Sequence, residues 1–105
     1  MVKKISDNDI TELNNAEFAL LDISATWCGP CKFVAPIVED LSEEFEGQVE
    51  FFNADSDENP ELAKNLKVMS IPWLGIFQKG ELISKQVGAQ PAEVLHDWIE
   101  ETIAQ

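Results

Sequence analysis

Two kinds of apolar pattern alternate along this chain of 105 residues, and their order restricts the fold more than any other feature. Short continuous apolar runs are typical of strands covered on both faces, whereas apolar residues repeated every three or four positions indicate helices with one buried side. The alternation predicts an α/β fold in the order βαβαβαββα, with a mixed central sheet of about five strands flanked by four helices. No linker rich in proline, glycine or serine interrupts it, so we expect a single domain over residues 1–105.

The bounds of these elements follow from the apolar runs and from local start and stop signals. Strands are predicted at residues 2–5, 18–23, 49–53, 73–78 and 82–87. Helices are predicted at residues 7–14, from 28 towards a stop at Gly47, at 60–66, and from Pro91 onwards. Ser6 or Asp7 is the expected cap of the first helix, and Phe33 is among the apolar residues expected to face the core from the second.

A tight turn is predicted at Lys79-Gly80-Glu81, between the last two strands. A glycine between two strand-like runs is typical of a hairpin, because such turns need backbone angles that glycine adopts readily. We therefore expect these two strands to be antiparallel.

Both cysteines of the chain lie in the run Trp27-Cys28-Gly29-Pro30-Cys31, directly after the second predicted strand. If a helix begins near Cys28, residues i and i+3 share one face and are close enough to form a disulfide without large backbone movement. A thiolate at a helix N-terminus is favoured by unpaired backbone N–H groups and by the helix dipole. Cys28 is therefore the expected nucleophile, and Cys31, one turn inside the helix, is the expected resolving thiol.

A metal centre is the alternative role for the two cysteines, and the composition argues against it. A tetrahedral zinc site needs four ligands, whereas the chain has two cysteines and one histidine, His96. His96 falls outside the apolar stripe of the last predicted helix and is expected to be a solvated surface residue. We expect no metal in a single chain, and only a metal bridging two chains remains compatible with the ligand count.

The charge of the chain narrows the range of partners. Twenty acidic residues against seven lysines give a formal net charge of −13, which repels phosphate backbones and anionic lipid surfaces. No segment approaches the roughly 18 consecutive apolar residues of a membrane helix, and the N-terminal residues lack the apolar stretch of a secretory signal. We expect a soluble, cytoplasmic, monomeric protein that binds neither nucleic acid nor membranes.

The segment Trp27-Cys28-Gly29-Pro30-Cys31-Lys32 as a whole resembles the active site of the thioredoxin family. The resemblance extends over essentially the whole chain, because other landmarks of the family recur at matching positions. They are a buried acid at Asp22, a cis-proline at Ile71-Pro72, a hairpin at Lys79-Gly80 and a glycine beside the active site at Val87-Gly88.

This resemblance implies a protein-disulfide reductase that works by dithiol–disulfide exchange. Cys28 would attack a substrate disulfide, Cys31 would release the reduced substrate, and a reductase flavoenzyme or a ferredoxin-dependent counterpart would reopen the bridge between the two cysteines. Such an electron carrier contributes to cell redox homeostasis and holds no bound cofactor besides its redox-active disulfide. Gly29 and Pro30 would set the redox poise of the pair.

The resemblance also implies a substrate-binding surface around the cysteines. Trp27 would supply an apolar wall, and the backbone of Ile71, beside a cis Pro72, would pair with an extended substrate segment by β-augmentation. Trp73 and Gly88 complete the set of expected substrate contacts.

Asp22 can also be interpreted from the residues around it. A carboxylate inside an apolar strand loses its hydration, so its pKa should lie well above its ordinary value. Such a group can exchange protons near neutrality, and we expect it to assist Cys31 as a general acid and base through water. An aspartate exposed at the edge of the sheet is the alternative that remains open.

Three residues depart from the usual pattern of the family. Ser24 stands where a tryptophan is common, Phe51 where a lysine usually accompanies the buried acid, and Trp73 where a small hydroxyl residue usually follows the cis-proline. Without that lysine, Asp22 is expected to titrate higher than in the family, and Trp73 is expected to narrow the substrate groove or to offer a stacking surface. The departures leave open a specialised redox partner or oxidant for few substrates, and a thioredoxin-like binding module whose cysteines are incidental.

Overall fold

Five strands form one mixed sheet in the order β1-β3-β2-β4-β5, in a computed structural model that describes residues 1–105. The first three strands are parallel to one another, β4 is antiparallel to β2, and β5 is antiparallel to β4. The strands are β1 Val2–Ile5, β2 Phe18–Ser24, β3 Glu50–Asp55, β4 Trp73–Gln78 and β5 Glu81–Val87. The helices are α1 Thr11–Asn15, α2 Gly29–Glu44, α3 Pro60–Asn65 and α4 Ala92–Ile103. The predicted α/β class, element order and mixed sheet are confirmed.

Two separate cores cover the two faces of the sheet. Leu20 of β2 packs in a cluster with Val34 of α2 and Ile99 of α4. The next residue, Leu21, packs in the other cluster, which includes Leu13 of α1. Because successive side chains of a strand point to opposite faces, β2 is buried on both sides, and this explains its continuous apolar sequence.

The first helix begins later than its sequence predicts. Asp7 and Asn8 have φ angles of 55° and 58°, which are left-handed and incompatible with a helical start at residue 7. The side chain of Asn8 instead accepts a hydrogen bond from the backbone N–H of Leu62, 2.9 Å away. The predicted cap at Ser6 or Asp7 is therefore wrong, because these polar residues form a turn that precedes the helix by several residues.

Helix α2 starts where its sequence predicts, with Cys28 as its N-cap residue, and Pro36 lies inside it. It ends at Glu44, shortly before Gly47. Gly47 has a φ of 87°, a left-handed conformation that glycine adopts readily where the chain turns away from the helix. The expectation that Phe33 faces the core is wrong, because its side chain is 58% exposed and the buried stripe of the helix runs through neighbouring positions.

The hairpin between β4 and β5 has the predicted form. Gln78 pairs with Glu81, so the connecting loop consists of Lys79 and Gly80 alone. Both loop residues have positive φ, 48° and 83°, as the favoured two-residue hairpin turn requires. None of the four helices is long and apolar enough to cross a membrane.

Candidate active site

The two cysteines lie at the junction between the central strand β2 and helix α2, and they form a disulfide with a Cα–Cα distance of 5.3 Å. Both are buried against Ala25 and Ile71. The backbone N–H of Cys31 donates a hydrogen bond to Sγ of Cys28, 3.2 Å away. Cys28 therefore caps the helix through its sulfur, and the same N–H group is placed to stabilise a Cys28 thiolate when the bridge is reduced.

A proline loop lies against the cysteine pair. The Ile71–Pro72 peptide bond is cis, as the resemblance implies. The carbonyl of Pro72 accepts a hydrogen bond from the backbone N–H of Gly88 at 2.8 Å, and Gly88 has a φ of 93° that favours glycine. The backbone N–H and C=O of Ile71 have no hydrogen-bond partner within the chain. These two groups are available to pair with another extended segment.

An open groove of about 380 Å³ runs beside this loop. Its apolar lining includes Trp27, Val68, Met69 and Ile71. Trp27 is 69% exposed, and its Nε1–H donates to Oδ2 of Asp57 at 2.8 Å, which holds the ring in place. Met69 is 92% exposed and was not singled out from the sequence, although an apolar residue two positions before Ile71 was the available signal.

Asp22 is buried in the middle of β2, with 3% of its surface exposed. The exposed-edge alternative is excluded because β2 has strands on both sides. Asn53 on β3 donates through Nδ2 to Oδ2 of Asp22 at 3.2 Å and to Oγ of Ser24 at 3.0 Å, whereas Oδ1 of Asp22 accepts no hydrogen bond. Burial raises the pKa of Asp22 from 3.8 to about 6, and the hydrogen bond from Asn53 opposes that increase. The expected elevation of this pKa is confirmed in direction.

Residues 2–101 of the chain match a family model described as Thioredoxin. The chain belongs to the thioredoxin family. It is 43% identical to the thioredoxin of Staphylococcus haemolyticus over 94 residues, which cover 90% of each chain. It is 41% identical to the thioredoxin of Staphylococcus saprophyticus over 99 residues, which cover 94% of this chain and 95% of that relative. A thioredoxin of Staphylococcus aureus is 43% identical over 94 residues.

Membership of the thioredoxin family assigns the chemistry of the cysteine pair. The Cys28–Cys31 disulfide at the start of α2 is redox-active, and the chain is a thiol–disulfide oxidoreductase that acts by thiol–disulfide exchange.

One of the expected departures from the thioredoxin pattern falls on the wrong residue. Phe51 pairs with Leu20, not with Asp22, and is buried in the core below α2 and α4. The residue paired with Asp22 is Asn53. The position that the resemblance assigns to a lysine is therefore occupied by an amide, which donates a hydrogen bond but carries no charge. The hydrogen bond from Asn53 partly offsets the effect of burial on the pKa of Asp22.

Trp73 was expected at the substrate surface, and the structure places it elsewhere. It is 1% exposed and packs in the core below α1 and α3, because it shares the face of Ile23, its partner on β2. A methyl group added at Gly75 would lie 2.6 Å from the Trp73 ring, so the glycine makes room for the indole. The side chain of Trp73 therefore neither narrows the groove nor offers a stacking surface.

His96 lies on α4 and contacts Glu44, the last residue of α2, at the opposite end of that helix from the cysteines. It is half-buried rather than fully solvated, with Nε2 2.6 Å from Oε2 of Glu44 and Nδ1 3.1 Å from Oδ1 of Asp97. The hydrogen bond to Asp97 and the surrounding carboxylates raise the pKa of His96. These contacts tie α4 to α2 and place His96 outside the redox site.

Proposed function

We propose that this chain, acting as one domain over residues 1–105 and as a monomer, is a general protein-disulfide reductase of the cytoplasm. It carries electrons from a reductase, either a flavoenzyme or a ferredoxin-dependent enzyme, to disulfides of other proteins and so contributes to cell redox homeostasis. The observation that carries the proposal is the position of Cys28, whose sulfur accepts a helix N–H beside the unpaired backbone of Ile71.

In the attacking half of the reaction, the Cys28 thiolate displaces one sulfur of a substrate disulfide. A Cys28–substrate disulfide forms, and one substrate thiolate leaves. The N–H of Cys31 and the dipole of α2 stabilise the attacking thiolate. Gly29 and Pro30, between the cysteines, set the balance between the dithiol and disulfide forms.

In the resolving half, Cys31 loses its proton and attacks Sγ of Cys28. The internal disulfide forms, the second substrate thiolate leaves, and two electrons have passed from the cysteine pair to the substrate. We assign the proton acceptor to Asp22, acting through water, because its pKa of about 6 allows it to change charge near neutral pH.

The substrate surface of this proposal consists of Trp27, Ile71, Pro72 and Gly88. The N–H and C=O groups of Ile71 would pair with the substrate backbone, as an added strand does at a sheet edge. Trp27, held by Asp57, would cover the substrate side chain next to the disulfide.

Trapping of mixed disulfides tests the proposal directly. In a Cys31→Ser variant the resolving thiol is absent, so substrates should remain bonded to Cys28 in a cell extract and be released by a reducing agent. The matched control is the Cys28→Ser, Cys31→Ser double variant. Capture of many different proteins above that control supports a general reductase, and capture of none contradicts the proposal.

The structure gives less support than the sequence does to the alternative of a specialised redox partner or oxidant. Of its three supporting residues, Phe51 and Trp73 lie in the two cores, and only Ser24 lies near the acid. The reduction potential of the Cys28–Cys31 pair separates the roles, because a value near that of reducing exchangers fits a reductase and a much higher one fits an oxidant.

A further inference from the structure

A cleft of about 280 Å³ opens beside Asp22, between α2 and the part of the sheet formed by β1, β3 and β2. The buried Asp22 and the half-buried Ser24 and Asn53 line it from the sheet. The exposed side chains of Lys4 on β1 and Glu39 on α2 line the same cleft. The carboxyl group assigned to proton transfer is therefore adjacent to a solvent-accessible space that contains one cation and one further anion.

Lys4 and Asp22 lie in one cross-strand row. Lys4 pairs with Asn53, and Asn53 pairs with Asp22, so all three side chains point to the same face of the sheet. Neighbouring strands are about 4.8 Å apart, which puts two such spacings between the backbones of Lys4 and Asp22. The flexible four-carbon stem of lysine can cross over the shorter Asn53 side chain between them.

Lys4 is the only cationic residue that lines the cleft beside Asp22. Glu39 is the one titratable residue of α2 that lines the cleft, and the β4 neighbour of Asp22 is the apolar Leu74. Lys4 is engaged in no ion pair, whereas its neighbour Lys3, on the opposite face of β1, pairs with two glutamates. Oδ1 of Asp22 also has no hydrogen-bond donor.

We propose that Lys4 is a positioning residue for Asp22, whose ammonium enters the cleft and stabilises the ionised carboxylate across the Asn53 side chain. This inference rests on the proposed role of Asp22 as the base for Cys31. In the resolving step the proton leaves Sγ of Cys31 and reaches the Asp22 carboxylate through water, so only ionised Asp22 can accept it. Lys4 increases the fraction of molecules in that form, and Glu39 decreases it.

The test is the titration of the Asp22 carboxyl carbon by NMR in the reduced protein at low salt. Lys4→Met should move the midpoint to higher pH by ~0.3 unit or more, because a cation is lost from a partly desolvated site. Lys3→Met is the matched control, since it removes the same charge from the opposite face of the same strand, and it should give less than half that shift. Lys4→Arg should restore the midpoint of the unsubstituted chain, and Glu39→Gln should lower it.

The resolving rate supplies a second readout. In single-turnover release of substrate from Cys28, the pH–rate profile of Lys4→Met should shift to higher pH by the same amount, with an unchanged plateau at high pH. Equal midpoints for Lys4→Met and Lys3→Met, or no shift in Lys4→Met, would overturn the inference. Neither result would affect the trapping of substrates on Cys28, so failure here is distinguishable from failure of the proposed reductase function.

Discussion

At the scale of the residue, Asp22 makes the stability of the protein depend on pH. Burial raises its pKa from 3.8 to about 6, so the folded chain binds this proton more tightly than the unfolded chain does. The free energy of unfolding therefore falls as the pH rises from 3.8 to about 6. Above pH 6 the ionised carboxylate costs about 3 kcal/mol, since each pKa unit corresponds to about 1.4 kcal/mol.

Replacement of Asp22 by asparagine should remove that cost. We expect Asp22→Asn to increase the free energy of unfolding by roughly 2–3 kcal/mol at pH 7, with a gain that shrinks towards pH 4. Urea unfolding at several pH values measures the effect, and an unchanged denaturant slope would show that both end states are preserved. A gain that is independent of pH would contradict this explanation.

Asn53 should lower the pKa of Asp22 through a single hydrogen bond. Asn53→Leu keeps a side chain of similar size but removes the Nδ2 donor, so the Asp22 midpoint should rise, as NMR of its carboxyl carbon would report. Ser24→Ala is the control, because it removes a different acceptor of Nδ2 without removing the donor to Asp22. A larger rise in Ser24→Ala than in Asn53→Leu would show that the network, rather than this bond, controls the acid.

At the scale of the element, β4 contains a pair of residues that depend on each other. A methyl group at Gly75 would lie 2.6 Å from the Trp73 ring and 2.9 Å from Cδ1 of Leu82. We expect Gly75→Ala to reduce the free energy of unfolding by about 1–3 kcal/mol through this overpacking. In the Trp73→Leu, Gly75→Ala double variant the smaller side chain leaves room for the added methyl group, so the loss of stability should be smaller than the sum of the two single losses. Strictly additive free energies in urea unfolding would contradict the contact.

The elements themselves could be predicted well from the sequence where the signal is local. The apolar run of β2, the Cys28 start of α2 and the glycine of the β4–β5 turn each have a direct physical cause in adjacent residues. The start of α1 could not be predicted in this way, because aspartate and asparagine are common both as helix caps and in left-handed turns, and Asp7 and Asn8 adopt the second role.

The parts of the site that sequence reasoning missed depend on contacts between strands. Whether Phe51 or Asn53 lies beside Asp22 is decided by the parallel register of β2 and β3, which no local pattern records. Trp73 is buried because its side chain lies on the same face of the sheet as that of Ile23, and the pairing of β4 with β2 determines that face. The two cysteines could be assigned because their spacing alone brings them together.

At the scale of the whole molecule, the substrate groove joins segments that are distant in sequence. Met69→Glu should lower kcat/KM for protein disulfides several-fold, because a charge replaces exposed apolar surface beside Trp27, while reduction of a small disulfide reagent stays unchanged. Val94→Glu is the control, since it adds the same charge at an exposed apolar position on α4. Equal losses in both variants would attribute the effect to net charge instead.

The two-sided burial of β2 has a consequence for how this gene can vary. A single-residue insertion or deletion in β2 would move the side chains on one side of the change to the opposite face of the sheet. Asp22 would then face α1 and α3, and a leucine would take its place in the cleft. Substitutions in this segment can be accommodated one at a time, but changes of length cannot. Between Phe18 and Cys28 we therefore expect natural variants to differ in composition and not in residue number.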